Sequence, residues 1–177
     1  MARKLLIVSI LLLLTSVSFA QKKKKDREKK GQTEANSTYN EIGATLPPLN
    51  FYRRDGISLT EKDLNANAPL IIMLFNPTCE HCEQQAKIFQ QHLSWFKDTE
   101  LLLMAAEHMG PYLGYFVSNT GSDKYPSLQI GLDSSNFIKN TFRYESLPQI
   151  NVYDKQRKLV KVFTGITPID SLKPYIQ

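Results

Sequence analysis

The sequence predicts an α/β domain with a central mixed β-sheet flanked by helices, and three observations lead to this fold class. Residues 70–75 are uniformly apolar, which is typical of a strand covered on both faces. The apolar spacing then changes to a helical period, and strand and helix patterns alternate as far as a C-terminal hairpin. The length of 177 residues fits one globular domain with appendages. The composition, with 42% hydrophobic and 22% charged residues, excludes collagen-like and fully disordered proteins.

Residues 1–20 have the pattern of a secretory signal peptide: two basic residues, a short aliphatic stretch, then the small residues Ser18 and Ala20. We expect cleavage after Ala20 and export to the periplasm or another extracytoplasmic compartment. An uncleaved membrane anchor is the alternative. Residues 21–42 contain a lysine-rich run and predict a disordered tether, which is either a solubilising spacer or a basic arm for an anionic lipid or polymer.

The formal net charge of +5 lies ahead of the predicted domain, which spans residues 43–177. From Gly43 onward there are 13 basic and 13 acidic side chains, so the domain itself is neutral. Nucleic-acid binding depends on Lys and Arg that neutralise phosphates. We therefore expect no nucleic-acid partner.

The domain begins with an extended segment that contains two prolines, and Asp55-Gly56 then predicts the turn of an N-terminal β-hairpin extension. The strand at residues 70–75 follows and ends at Pro77, because proline cannot extend the hydrogen-bonded ladder. A helix is predicted from Cys79, and its buried face is expected to consist of Cys82, Ala86, Phe89, Leu93 and Phe96.

The rest of the domain completes the alternation of strands and helices. We expect Ser134 or Ser135 to cap a helix that runs through Phe142, and Pro168 to start a final helix. The remaining predicted elements are strands at 101–106, 128–132, 149–153 and 159–163, and helices at 111–119 and 167–176.

Cys79 and Cys82 enclose Glu80 and His81 at the predicted N-terminus of the first helix. The helix dipole and the free backbone N–H groups there favour a thiolate at Cys79. Cys82 lies one turn further on, within reach for intramolecular attack. This spacing predicts dithiol–disulfide exchange, a chemistry for which we expect no cofactor and no metal.

A C-x-x-C pair that follows an apolar strand and opens a helix resembles the active site of the thioredoxin superfamily. The order of motifs from residue 43 to 176 is similar to that of its exported TlpA/ResA-like members: G-A-T-L-P-P-L-N-F, a D-G hairpin, C-E-H-C and L-P-Q-I-N-V-Y-D. The resemblance implies a thioredoxin-like fold, client protein thiols or disulfides as substrates, and a membrane thiol donor or acceptor. It also implies a cis peptide bond between Leu147 and Pro148, opposite the cysteines, which shapes the groove where client backbone pairs.

The sequence departs from this family at two positions. Relatives usually have an aromatic residue where this chain has Thr78, and commonly a polar or acidic residue where it has Met73. Proton relay to Cys82 then needs another group. The candidates are Glu80 and the pair Glu107 and His108, which follow the predicted strand at 101–106, because the carboxyl ends of parallel strands share one rim. The alternative is that Glu107 and His108 are solvated loop residues.

The direction of exchange is left open by two opposing signals. A histidine at the position of His81 resembles the oxidising branch of the superfamily, where it stabilises the thiolate. Exported TlpA-like domains are instead most often kept reduced by a membrane thiol donor. Potentials in the superfamily range from roughly −270 to −120 mV. We expect a reductase or general oxidoreductase.

Other classes of function fit the residues less well. Cys79, Cys82 and His81 cannot all face one zinc ion from adjacent helix positions. A peroxiredoxin would need threonine three residues before the first cysteine, where this chain has Asn76. A binding or assembly module with a purely structural disulfide remains an alternative, although so short a loop constrains the unfolded chain little. Neither the client protein nor the oligomeric state follows from the sequence.

Overall fold

The computed structural model describes residues 39–176. The predicted signal peptide and all but the last four residues of the predicted tether lie outside the described residues. Across residues 39–176, no helix combines the length and the apolar character that crossing a membrane requires.

Seven strands of the described chain form one mixed sheet in the order β2-β1-β5-β4-β3-β6-β7. Strands β3, β4 and β5 are parallel, whereas β6 is antiparallel to β3 and to β7. Strand β1 is antiparallel to β5 and forms the predicted N-terminal hairpin with β2. The predicted fold class is therefore confirmed. The strands are β1 Phe51–Arg53, β2 Ser58–Leu59, β3 Leu70–Phe75, β4 Glu100–Ala105, β5 Gln129–Asp133, β6 Gln149–Tyr153 and β7 Leu159–Thr164.

Three α-helices accompany the sheet in the described residues, with short 3₁₀ turns between the elements. Helix α1 follows β3, helix α2 connects β4 to β5, and the short helix α3 follows β5. Their bounds are Glu80–Gln91 for α1, Gly110–Thr120 for α2 and Phe137–Thr141 for α3.

Strand β3 separates two hydrophobic cores, because its side chains alternate between the two faces of the sheet. All six of its residues are buried, which is the predicted result of a uniformly apolar strand. Ile71, Met73 and Phe75 face the core that contains α1 and α2. Its other residues face a second core, made with the N-terminal segment and α3.

Helix α1 ends earlier than the apolar spacing predicts. The α-helix stops at Gln91, and residues 93–96 form a 3₁₀ turn that still buries Phe96. In a continuing helix the Ile88 carbonyl would accept the His92 backbone N–H. Here the His92 ring Nδ1 lies 2.9 Å from that oxygen, and the His92 N–H donates to the Phe89 carbonyl instead.

The expected serine cap of the helix after β5 is wrong. Helix α3 begins at Phe137, and Ser135 and Asn136 before it have left-handed backbone conformations. The buried carboxylate of Asp133 takes the capping role instead, since its Oδ2 accepts the Ile138 N–H at 2.9 Å. The helix ends at Thr141, one residue short of the predicted Phe142.

The predicted final helix at 167–176 is also wrong. Two 3₁₀ turns replace it, Ile169–Ser171 after Pro168 and Lys173–Tyr175. Pro174 explains the difference, because a proline inside an α-helix removes one backbone donor and its ring clashes with the carbonyl four residues earlier. Leu172 and Ile176 are nevertheless buried against the first core.

Candidate active site

The dithiol lies at the edge of the sheet formed by the carboxyl ends of β3, β4 and β5, which we call the dithiol edge. A tight loop leads from β3 into α1: the Cys79 N–H donates to the Asn76 carbonyl at 3.0 Å. The Asn76 side-chain oxygen accepts the N–H of Thr78 at 2.9 Å and its hydroxyl at 3.0 Å. Cys79 is the N-cap of α1 with extended backbone, as expected for the residue that opens the helix.

The two cysteines have different environments. Cys79 is half-buried, whereas Cys82 is completely buried in the first core, and both are free thiols. Burial raises the pKa of the Cys82 thiol well above its ordinary value, because an ionised sulfur is poorly solvated there, and a hydrogen bond with the Cys79 side chain adds to the increase. An accessible sulfur therefore lies beside one that is held protonated.

The loop that contains Leu147 and Pro148 adjoins the dithiol through the Leu147 carbonyl. The peptide bond between them is cis. The Cys79 thiol donates to the Leu147 carbonyl oxygen at an S···O distance of 3.9 Å, and the Pro148 carbonyl accepts the Gly165 N–H at 2.8 Å. The loop before β6 thus adjoins the reactive sulfur, while its contact with client backbone stays a prediction.

Gln85 is a buried residue of the site that the sequence analysis missed. It follows Cys82 by three residues, is completely buried, and accepts the Thr167 N–H on its Oε1 at 2.7 Å. Its Nε2 has no hydrogen-bond partner among the described residues. A glutamine three residues after Cys82, on the apolar face of α1, is the signal that could have identified it. This bond fixes α1 to the segment after β7, whose Gly165 N–H donates to the Pro148 carbonyl.

Glu80 and His81 are both exposed on the first turn of α1. The Glu80 carboxylate accepts a hydrogen bond from the Gln84 side chain at 3.1 Å. Met73, which occupies the position where relatives commonly have a polar residue, is completely buried in the same core as Cys82. The side chain of β3 at this position therefore offers no proton acceptor to Cys82.

Glu107 and His108 are exposed in a 3₁₀ turn directly after β4, at the dithiol edge, as the sequence predicts. The turn is held by Asp133, whose Oδ1 accepts the Glu107 N–H. Both residues line a pocket of about 450 Å³ with Asp133, Asn136, Lys139 and Tyr144. Their part in a proton relay stays a prediction. Within residues 39–176, no cluster of three or more His, Cys, Asp or Glu side chains is arranged to hold a metal ion.

No protein-family model matches the sequence, and no curated protein matches it either. Solved structures do match. The thioredoxin domain of a thiol-disulfide oxidoreductase from Bacteroides vulgatus aligns with 77% of this chain and 99% of its own, at 13% identity and a TM-score of 0.61.

Two further structures give the same result. A thioredoxin-like protein from Porphyromonas gingivalis aligns at 20% identity and a TM-score of 0.58, over 77% of this chain and 94% of its own. StoA from Bacillus subtilis aligns at 14% identity and a TM-score of 0.58, over 74% and 97%. Identities this low establish the fold alone, and by that criterion the chain has a thioredoxin-like fold.

Proposed function

We propose that this protein is a thiol-disulfide oxidoreductase that exchanges disulfides with client proteins through Cys79 and Cys82. The observation that carries the proposal is the pairing of an accessible thiol at the first residue of α1 with a buried thiol one turn later. A purely structural pair would not need this asymmetry, since neither sulfur would have to reach a partner. The fold shared with a Bacteroides vulgatus thiol-disulfide oxidoreductase supports the proposal.

The exchange proceeds in two steps that balance. The Cys79 thiolate attacks one sulfur of the client disulfide, that S–S bond breaks, and the departing client sulfur takes up a proton. The Cys82 thiol then loses its proton and attacks the Cys79 sulfur of the mixed disulfide, which releases the second client thiol. The client gains two electrons, and Cys79 and Cys82 end joined in a disulfide.

The raised pKa of Cys82 makes its deprotonation the demanding part of the second step. Glu80, and Glu107 with His108, are the acceptors that we propose for this proton. We further propose that reduction of clients is the net direction, with electrons from a membrane thiol donor, although His81 beside the thiolate acts toward a more oxidising potential.

We propose that the protein works outside the cytoplasm. The support is the order of basic, aliphatic and small residues in 1–20, which ends at Ser18 and Ala20. The exported protein should begin at Gln21, and N-terminal sequencing after expression in a secreting bacterium measures this. A membrane-bound chain that still begins at Met1 would contradict the assignment.

The test of the activity separates the roles of the two cysteines. Incubated with bis(2-hydroxyethyl) disulfide, the Cys82→Ser variant should accumulate a mixed disulfide on Cys79, because no second thiol resolves it. The Cys79→Ser variant should accumulate none, since the remaining thiol is buried. Mass spectrometry of intact protein measures both, with wild type as the control that forms only the internal disulfide.

An adduct on the Cys79→Ser variant alone would invert the roles. Equal and slow labelling of both variants would contradict the enzymatic function.

A further inference from the structure

Helix α2 exposes two tyrosines that its packing does not use. Tyr112 and Tyr115 are 50% and 55% exposed, whereas the core-facing side of α2 is made of other residues. The eleven residues of α2 include no charged side chain. We call Tyr112 and Tyr115 the tyrosine pair. An uncharged helix that turns two aromatic rings to solvent is suited to contact with an apolar partner.

Two hydrogen bonds define how α2 lies beside α1. Asn119 Nδ2, near the end of α2, donates to the Glu83 carboxylate in the first turn of α1 at 3.2 Å. Gln90 Nε2, near the end of α1, donates to the Ser122 hydroxyl just past α2 at 3.0 Å. Because the later residue of one helix contacts the later residue of the other, the two helices run in the same direction.

This alignment brings the tyrosine pair to the level of the dithiol. Four residues separate Asn119 from Tyr115, and four separate Glu83 from Cys79. Each interval is about 6 Å at a rise of about 1.5 Å per residue. Counted from this bond, Tyr115 lies about level with Cys79, whereas the Gln90–Ser122 bond, counted in the same way, puts residue 111 at that level. Both members of the tyrosine pair therefore lie within about 6 Å of the level of Cys79 along the helix axis.

A second contact places this part of α2 beside the loop that carries Cys79. Phe116 follows Tyr115 and packs on Phe75, the last residue of β3, with ring centroids 4.4 Å apart. On the other side of the dithiol, Ile166 is 42% exposed next to Gly165, which bonds to Pro148. Exposed apolar side chains thus flank the reactive sulfur.

We propose that the tyrosine pair is a docking surface for the polypeptide of a client protein next to its reacting cysteine. This inference rests on the proposed function, since a disulfide that reaches Cys79 brings its own chain across the neighbouring surface. Packed helices lie about 8 to 10 Å apart, a distance that an extended chain spans with about three residues. The favoured clients carry an aromatic side chain about three residues from the reacting cysteine.

The experiment uses two ten-residue peptides, each as its disulfide-linked dimer, with Phe or Ser three residues from the cysteine. Dithiothreitol regenerates the reduced protein, and chromatography of the peptide thiol gives kcat/KM. Wild type should favour the Phe peptide about tenfold, the ratio expected when one ring is partly buried. The double variant Tyr112→Ser/Tyr115→Ser should reduce both peptides at rates within about twofold of each other.

Two control variants accompany the measurement. Tyr112→Phe/Tyr115→Phe retains the apolar rings and should keep the preference for the Phe peptide. Tyr52→Ser removes an equally exposed tyrosine, 48% exposed on β1, and should also keep it. Turnover of bis(2-hydroxyethyl) disulfide, which has no polypeptide to dock, should be the same in every variant.

The outcomes separate the two proposals. No turnover of bis(2-hydroxyethyl) disulfide by wild type overturns both the oxidoreductase and the docking surface. Turnover without preference for the Phe peptide overturns the docking surface alone. An equal loss of activity by the double variant on all three substrates also overturns the docking surface. So does a retained peptide preference if sedimentation shows that wild type is a dimer and the double variant a monomer, since the tyrosine pair then contacts a second copy.

Discussion

The two edges of the parallel strands differ in shape and in chemistry. At the amino ends of β3, β4 and β5, which we call the opposite edge, lies a depression of about 950 Å³, lined by polar and charged residues such as Arg53, Lys97 and Lys155. The dithiol edge has a pocket of about half that volume. Cavity size therefore does not mark the reactive part of this molecule. A disulfide in a polypeptide needs an accessible sulfur on an open surface rather than a deep cavity.

Each edge is held by one carboxylate that joins neighbouring segments. At the dithiol edge, Asp133 accepts the backbone N–H groups of Glu107 and Ile138, and it is only 3% exposed. At the opposite edge, half-buried Glu100 accepts the Asn65 N–H and the Gln129 side-chain amide, both at 3.0 Å. Water can replace both partners of Glu100, whereas the Ile138 N–H that Asp133 accepts is buried away from it. The dithiol edge is the one fixed by a group shielded from solvent.

The largest difference in stability is expected between the two variants that each remove one of these carboxylates. Asp133→Ala leaves the buried Ile138 N–H and the partly buried Glu107 N–H without their acceptor, and it should lower the free energy of unfolding by about 3 kcal/mol. Glu100→Ala should cost about 1 kcal/mol, because solvent takes over its bonds. Urea unfolding followed by circular dichroism measures both. Equal losses, or a larger loss for Glu100→Ala, would contradict this difference between the two edges.

The histidines at the two ends of α1 give a second comparison. His81 lies in the first turn beside the dithiol, and His92 is the C-terminal cap, about 16 Å away along the helix. An imidazolium or N–H donor near Cys79 stabilises the thiolate and not the disulfide, so it raises the potential. His81→Pro, which the first helical turn tolerates, should lower the potential by a few tens of millivolts. About 30 mV corresponds to about 1.4 kcal/mol.

His92→Gln is the matched control and should leave the potential unchanged, since its distance exceeds the screening length of about 8 to 10 Å. Equilibration in glutathione buffers gives the potential. If the potential does not move, His81 is a solvated residue without influence on the dithiol.

The parts of the fold that the sequence predicts are those decided by local patterns. The apolar run of β3 and the turn at Asp55-Gly56 were identified because burial on two faces and turn geometry depend on neighbouring residues. Cys79 and Cys82 were placed correctly at the start of α1 for the same reason. The cis bond before Pro148 came from the family resemblance, since composition and spacing do not specify it.

The parts that the sequence did not predict depend on contacts between distant segments. Asp133 caps α3 and holds the turn after β4, and nothing in its local sequence distinguishes it from a solvated aspartate. Gln85 bonds to Thr167, 82 residues later. Pro174 breaks the last helix, although the spacing of Ile169, Leu172 and Ile176 has a helical period and by itself predicts a helix there.

The core buries two weakly acidic groups, Cys82 near the dithiol edge and Tyr153 at the carboxyl end of β6. Burial raises the pKa of both above their ordinary values. A group whose pKa is raised by folding stays protonated in the folded chain while the unfolded chain releases its proton. Stability is therefore complete at neutral pH and falls as the pH rises above the unfolded value, about 8.5 for Cys and about 10 for Tyr.

Tyr153→Phe should have the smallest effect at neutral pH. The Tyr153 hydroxyl is buried without a hydrogen-bond partner among residues 39–176, so its removal should change the free energy of unfolding by less than about 1 kcal/mol at pH 7. Above pH 10 the variant should lose stability less steeply than wild type, by about 1.4 kcal/mol per pH unit. From about pH 9 the free energy of unfolding of Cys82→Ala should likewise fall less steeply with pH than that of wild type. At neutral pH this variant is less stable than wild type, because the shorter side chain leaves a cavity in the core. Urea unfolding at intervals from pH 7 to pH 11 measures these slopes, and parallel curves for wild type and Tyr153→Phe would show that the phenol ionises in the folded chain.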